Sequence, residues 1–183
     1  MASAFAHAFT AYTLKNFTSN PLLNNKFLFF VIASSIVPDL DVLGFQFGVS
    51  YGDLWGHRGM THSLLFAFCW SVFLWFIMSR SSDFKRCPFI SKTGVTAITI
   101  LFLSTSSHGL LDAMTNGGLG VAFFSPFDTT RYFLPWQPLQ VSPIGVGAFF
   151  SSAGLRVIIS ELIWIGIPFL ILLTLLKLKN RIK

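Results

Sequence analysis

The sequence predicts an all-α bundle of about four to five transmembrane helices, with a long non-cytoplasmic segment before the last. Three observations lead there. Hydrophobic residues make up 53% of the 183 positions and charged residues 11%, whereas a soluble domain carries roughly a quarter charged residues. Three apolar runs, residues 59–79, 93–111 and 157–176, reach the length of about 20 residues that a bilayer demands. No repeat, low-complexity tract or Pro/Ser-rich linker divides the chain, so residues 1–183 read as one membrane-embedded domain.

Taken in order, residues 3–17 and 27–37 are apolar but short, and a polar Asn/Ser/Pro turn around residues 18–25 separates them. Each is marginal as an independent span. The first lacks the basic start and small-residue cleavage pattern of a secretory signal, so it is expected to be retained. Basic residues then set the orientation. Arg80, Lys85, Arg86 and Lys92 fill one short loop, and Lys177, Lys179, Arg181 and Lys183 fill the tail. Both are expected on the cytoplasmic side, which gives five helices with the N-terminus out and the C-terminus in. Residues 116–156 are too polar and proline-broken to span, and are expected outside as a lid.

The net charge of +6 lies in these topological clusters rather than in a stripe interleaved with stacking aromatics, so no nucleic-acid binding is expected. Cys69 falls inside an apolar helix and Cys87 in a basic loop, so neither a disulfide between them nor a CxxC site is expected. Nothing sets an oligomeric state. The lipid bilayer is the expected partner.

All four histidines and several of the six aspartates cluster at particular places in this acid-poor chain. They occur in Pro38-Asp39-Leu40-Asp41, in Asp53 to His57 followed by Arg58-Gly59-Met60-Thr61-His62-Ser63, and in His108-Gly109-Leu110-Leu111-Asp112. Carboxylates beside apolar helices cost solvation free energy unless a cation compensates. The topology sends all three segments, together with His7, toward the non-cytoplasmic face. Histidine was not used to derive that orientation.

His108 and Asp112 stand at i, i+4 on one helical face, with Thr115 extending it. Asp39 and Asp41 follow Pro38, where an extended turn lets alternate residues point the same way; solvated turn residues are the plainer alternative. His57 is expected in a loop and His62 in the first turn of a helix, with Thr61, Asp53 and Ser63 as local caps. Arg58 fits either a fork for a substrate phosphate or an interfacial anchor. His7 fits either a ligand or a packed core histidine, and Glu161 a structural or neighbouring role. Asp128 and Arg131 are weaker candidates.

An early histidine, Pro-Asp-Leu-Asp, His-Arg-Gly-Met-Thr-His-Ser, His-Gly-Leu-Leu-Asp-Ala-Met-Thr and Ser-Pro-Phe-Asp, in this order, resemble the YdjM family. Its members are LexA-regulated inner-membrane proteins described as metal-dependent hydrolases. The resemblance covers most of the chain and implies a bacterial inner-membrane, SOS-linked protein. It implies the ligands His7, Asp39 or Asp41, His62, and His108 with Asp112. The His-x-x-x-Asp element is similar, more distantly, to zinc-dependent phospholipase C and P1-type nucleases. Those use further histidines downstream, and this chain has none after His108, so one or two ions are expected.

Imidazoles with carboxylates suit Zn²⁺ first, then Mn²⁺ or Fe²⁺, better than Mg²⁺ or Ca²⁺. The expected metal ligands are His7, Asp39, His62, His108 and Asp112, and the expected catalytic residues Asp41, His57 and Arg58. The reaction they imply is metal-assisted hydrolysis of a phosphoester or lipid-like substrate near the periplasmic face. A metal-ion or proton transporter would use the same His and Asp residues, with some near mid-bilayer. A bis-histidine haem anchor is a third class, separable by colour.

Overall fold

The computed structural model describes residues 1–81, 84, 88–143 and 146–181. Lys85, Arg86, Cys87 and Lys183, which bear on the topology and the cysteine reading, lie outside the described residues. Helix α1 (Ala4–Lys15) starts on the Ser3 cap and α2 (Asn25–Ile36) on the Asn24 cap, each side chain accepting a backbone N–H of the first turn. Helices α3 (Leu64–Met78) and α4 (Lys92–Ala113) start likewise on Ser63 and Ser91. A short α5 (Val146–Phe149) precedes α6 (Ser152–Glu161), which passes through one π-helical turn (Leu162–Gly166) into α7 (Ile167–Arg181). Among the described residues there are no strands, and only two isolated bridges tie residues 115–139 together.

Three helical segments are long and apolar enough to cross a membrane: Asn25–Phe47, Lys92–Ala113 and Ser152–Lys179, at 23, 22 and 28 residues. One of these, and the shorter apolar helix Leu64–Met78, depart from the sequence expectation. Helix α2 does not end near Pro38 but continues as a 3-10 helix over Val37–Phe47, with the proline in its first turn where a missing N–H costs nothing. Conversely, the run at 59–79 is not helical throughout. Its α-helix begins only at Leu64, because residues 57–63 are drawn out into turns and a short 3-10 piece.

Helices α1, α2 and α4 pack on one another, and α3 packs on α4. One end of this bundle holds an apolar core built around Phe27, Val31, Trp75, Phe84 and Leu101. That is the end marked by Lys26, Arg80 and Lys92. The opposite end holds a smaller core of Ala2, Ala6, Leu111, Leu139 and Ile165, and there the polar motif residues gather. Residues 116–143 fold over that end as an irregular cap. Leu64 N–H donates to the Phe123 carbonyl and Ala122 N–H to the Arg58 carbonyl, which fastens the cap to the motif loop.

The orientation itself is checked by reporters. Alkaline phosphatase fused after Lys183 is expected to be inactive and the same enzyme inserted within residues 116–143 active; the reverse pattern would invert the bundle.

Candidate metal centre

The first donor comes from the 3-10 stretch. Asp39 and Asp41 are buried while Leu40 between them is 57% exposed, so the tight helical winding, not an extended turn, aims both carboxylates at the bundle. The second comes from the drawn-out loop. Arg58 holds a left-handed φ of 64°, a conformation costing about 1 kcal/mol or more for a residue with a side chain, and it reverses the chain so that His57 and His62 both point inward. A Cβ on Gly59 would stand 2.3 Å from the Leu54 carbonyl, which is why glycine follows. The last two donors are His108 and Asp112, one turn apart on α4.

Four lone-pair atoms converge: Asp39 Oδ1, His62 Nε2, His108 Nε2 and Asp112 Oδ2. His108 Nε2 is 3.1 Å from His62 Nε2 and 3.2 Å from Asp39 Oδ1. His62 Nε2 is 3.7 Å from both Asp39 Oδ1 and Asp112 Oδ2. Donors bound at about 2.0–2.1 Å around a tetrahedral ion stand about 3.3 Å apart, close to these separations. All four residues are buried, and one donor atom from each lies within 4.8 Å of the others.

The protonation states follow from the partners. His108 Nδ1 lies 2.6 Å from the Ser35 carbonyl, which can only accept, so this nitrogen carries the proton. His62 Nδ1 lies 3.2 Å from Asp41 Oδ2 and is protonated by the same logic. With each Nδ1 so engaged, it is the two Nε2 atoms that face each other, 3.1 Å apart. Asp39 Oδ1 and Asp112 Oδ2 beside them have no hydrogen-bond partner. Such an arrangement is repulsive unless a cation, a proton between the nitrogens or a metal ion, lies at its centre. Among the buried side chains here, three carboxylates (Asp39, Asp41, Asp112) stand against one guanidinium (Arg58), an excess of negative charge that a divalent ion would offset. The residues fit such an ion.

A description of the YdjM inner membrane protein family matches residues 1–181. The chain belongs to the YdjM family. "Inner membrane protein YbcI" of Escherichia coli (strain K12) is similar to this YdjM-family chain, 36% identical over 185 residues that cover 99% of this chain and 100% of that protein. Both names give an inner-membrane location and neither gives a reaction. No solved structure matches the chain.

Within this YdjM-family centre, Asp41 is a hub rather than one of the four converging donors. Its Oδ1 accepts from His57 Nδ1 at 2.7 Å, and its Oδ2 accepts from the Thr61 hydroxyl at 2.7 Å and from the Arg58 backbone N–H at 3.2 Å. Asp41, His57 and His62 also form a second group of potential ligands, but each Nδ1 there has Asp41 as its acceptor, which makes the group an orienting network. Such an outer carboxylate fixes the tautomer of a ligating histidine. His57 is left with a buried, unpartnered Nε2.

His7 sits beside the four donors. Its ring stacks on His108 with centroids 3.7 Å apart, and its Nε2 is 3.6 Å from Asp112 Oδ1. The Nε2 atoms of His62 and His108 are too close to admit a porphyrin between them.

Arg58 corrects the sequence expectation. Rather than reaching out as a fork for substrate phosphate, it is fully buried. Its Nε contacts Asp112 Oδ2 at 3.0 Å, its NH1 donates to the Gly117 carbonyl at 2.9 Å and its NH2 to the Thr115 hydroxyl at 3.0 Å. Gly118, with φ 91°, accommodates it: a Cβ there would stand 2.7 Å from NH1. Arg131 likewise turns inward, donating to the carbonyls of His57, Tyr51 and Asp53.

Asp128 stays on the cap surface. Hydrogen bonds from Thr130 and Tyr132 hold its carboxyl below the usual range. Asp53 and Ser63 are local caps, as expected. Glu161 accepts from the Ser3 N–H and hydroxyl, and Ala2 N–H donates to Asp112 Oδ1, so the start of the chain is pinned to α4 and α6. Sequence reasoning missed Tyr51, whose ring packs edge-on to His57, and the Ser35 carbonyl, which no side-chain pattern could announce.

Proposed function

We propose that this chain is a membrane-bound metal-dependent hydrolase acting on a phosphoester or lipid-like substrate, with its centre toward the periplasmic face of the inner membrane. The observation that carries the reading is the convergence of two facing imidazole Nε2 atoms with Asp39 Oδ1 and Asp112 Oδ2, neither of which accepts a hydrogen bond. Zn²⁺ suits this donor set first, with Mn²⁺ or Fe²⁺ as alternatives.

A divalent ion supplies a Lewis acid for a phosphoryl or acyl oxygen and a nucleophile available at neutral pH. The protein supplies the rest. Asp41 holds the Nδ1 proton of His57, leaving Nε2 as the base that takes the proton of the attacking water. The water oxygen bonds to phosphorus or acyl carbon as the ester bond breaks. The leaving oxygen departs as an alcohol with the proton that His57 returns.

A transporter is less well supported. Among the described residues, every buried charged or histidine side chain, from His7 to Glu161, is gathered at the donor end, so no buried relay continues below the donors.

Chelation is expected to abolish hydrolysis, and Zn²⁺ or Mn²⁺ to restore it. His57→Ala should lower kcat about 10²- to 10⁴-fold while metal content stays at the wild-type level. A His57→Ala protein that turns over at the wild-type rate would remove the base from this scheme.

A further inference from the structure

We infer that the metal centre lies beneath the outer boundary of the hydrocarbon layer and is reached sideways by lipids of that leaflet, so that the substrate is a membrane lipid and not a soluble ester. The chemistry rests on the hydrolase reading; the placement does not.

Helix lengths carry the placement. Lys26, Arg80 and Lys92 mark one end of α2, α3 and α4, and basic residues at helix ends sit at the membrane surface. With rises of about 1.5 Å per α-helical and 2.0 Å per 3-10 residue, Asp39 stands about 22 Å above Asn25. His108 stands about 24 Å above Lys92. Leu64, two residues from His62, stands about 21 Å above Met78. Hydrocarbon about 30 Å thick extends beyond all three, so α2 and α4 set Asp39 and His108 about 6–8 Å below the far boundary, and α3 begins about 9 Å below it, two residues from His62. Helix tilt deepens the donors further.

The surface over the centre agrees with that depth. The 3-10 stretch that turns Asp39 and Asp41 inward turns Leu40, Leu43 and Phe47 outward, 57%, 51% and 84% exposed. Trp55 on the motif loop and Phe127 on the cap continue the apolar surface. Residues of this kind stand at the acyl and headgroup boundary and not in bulk water. One side of a single-stranded stretch therefore meets the ion's donors while the other meets lipid. Leu40 and Leu43 lie on the outward side of the stretch that carries the two carboxylates. A lipid lying there keeps its chains in the bilayer and has its glycerol esters several ångströms above the donors, so it must settle inward for an ester to meet the ion.

The test uses the full chain in nanodiscs, with Cys69 and Cys87 replaced by serine. Nitroxides are attached to Leu40→Cys and, separately, Leu43→Cys, both exposed positions that tolerate a label. Both labels are expected to collide more often with oxygen than with a water-soluble nickel chelate. In parallel, the Zn²⁺-loaded protein is given the long-chain phospholipid of the disc or a water-soluble phosphodiester, and the phospholipid is expected to be cut roughly tenfold faster, a barrier lower by about 1.4 kcal/mol.

Labels that collide mainly with the nickel chelate would overturn the placement. Faster cleavage of the soluble ester, with the labels in hydrocarbon, would overturn the lipid substrate alone. Labels in hydrocarbon with no turnover of either ester would uphold the placement and sink the hydrolase reading.

Discussion

His108→Ala and Asp112→Ala are expected to lose the bound ion, with affinity falling by more than the roughly 10- to 100-fold typical of losing an outer-shell partner. His62→Ala should behave in the same way, because its Nε2 lies within 3.7 Å of the other three donors. Asp41→Asn, which removes an acceptor without removing a donor, should stay within that 10- to 100-fold range. Stability reports the same difference. Zn²⁺ at about a thousand times its Kd should stabilise the wild type by about 4 kcal/mol against unfolding in detergent, and His108→Ala should show no such gain. Metal analysis of the purified proteins decides the matter, with Cys69→Ala as the variant that keeps its ion. Full occupancy in all three ligand variants would falsify the assignment.

Arg58→Ala carries the second large effect, and it acts through folding. Removing the guanidinium leaves Asp112 buried beside His62 with no cationic side chain, and strips the Gly117 carbonyl and Thr115 hydroxyl of their donor. Breaking a buried pair from one side costs about 3–5 kcal/mol. Chemical or thermal unfolding of the metal-free protein should register the loss, and Arg58→Lys should recover only part of it, since an ammonium cannot reach three acceptors in a plane. An Arg58→Ala protein as stable as the wild type would show the guanidinium to be incidental.

Much of this was legible in the sequence because hydropathy and basic-residue placement are physical constraints on a membrane chain. The apolar run at 93–111 falls within α4, and the histidines and aspartates assigned to one end do meet there. What could not be read was backbone direction. Nothing in Pro-Asp-Leu-Asp distinguishes a 3-10 helix from an extended turn, since both place Asp39 and Asp41 on the side away from Leu40. The apolar content of Met60 and Leu64 concealed a break in helix at residues 57–63. Arg58 was recognised as unusual, but its inward course depends on a left-handed φ and on the space above Gly118, and neither is encoded by residue type at that position. The Ser35 carbonyl that fixes His108 is a main-chain atom, invisible to any search for reactive side chains.

The four donors reach the membrane at different times. Asp39 arrives with α2, His62 with the entry to α3, and His108 and Asp112 only at the far end of α4. Until that last helix is inserted there is no complete ligand set, so an ion captured afterwards joins three separate segments and closes two long loops of chain at once. It then acts as a removable cross-link, restricting the unfolded chain much as a disulfide does. Withdrawing the ion should therefore loosen the packing of α2 against α4 and quicken unfolding, in the His57→Ala protein as in the wild type.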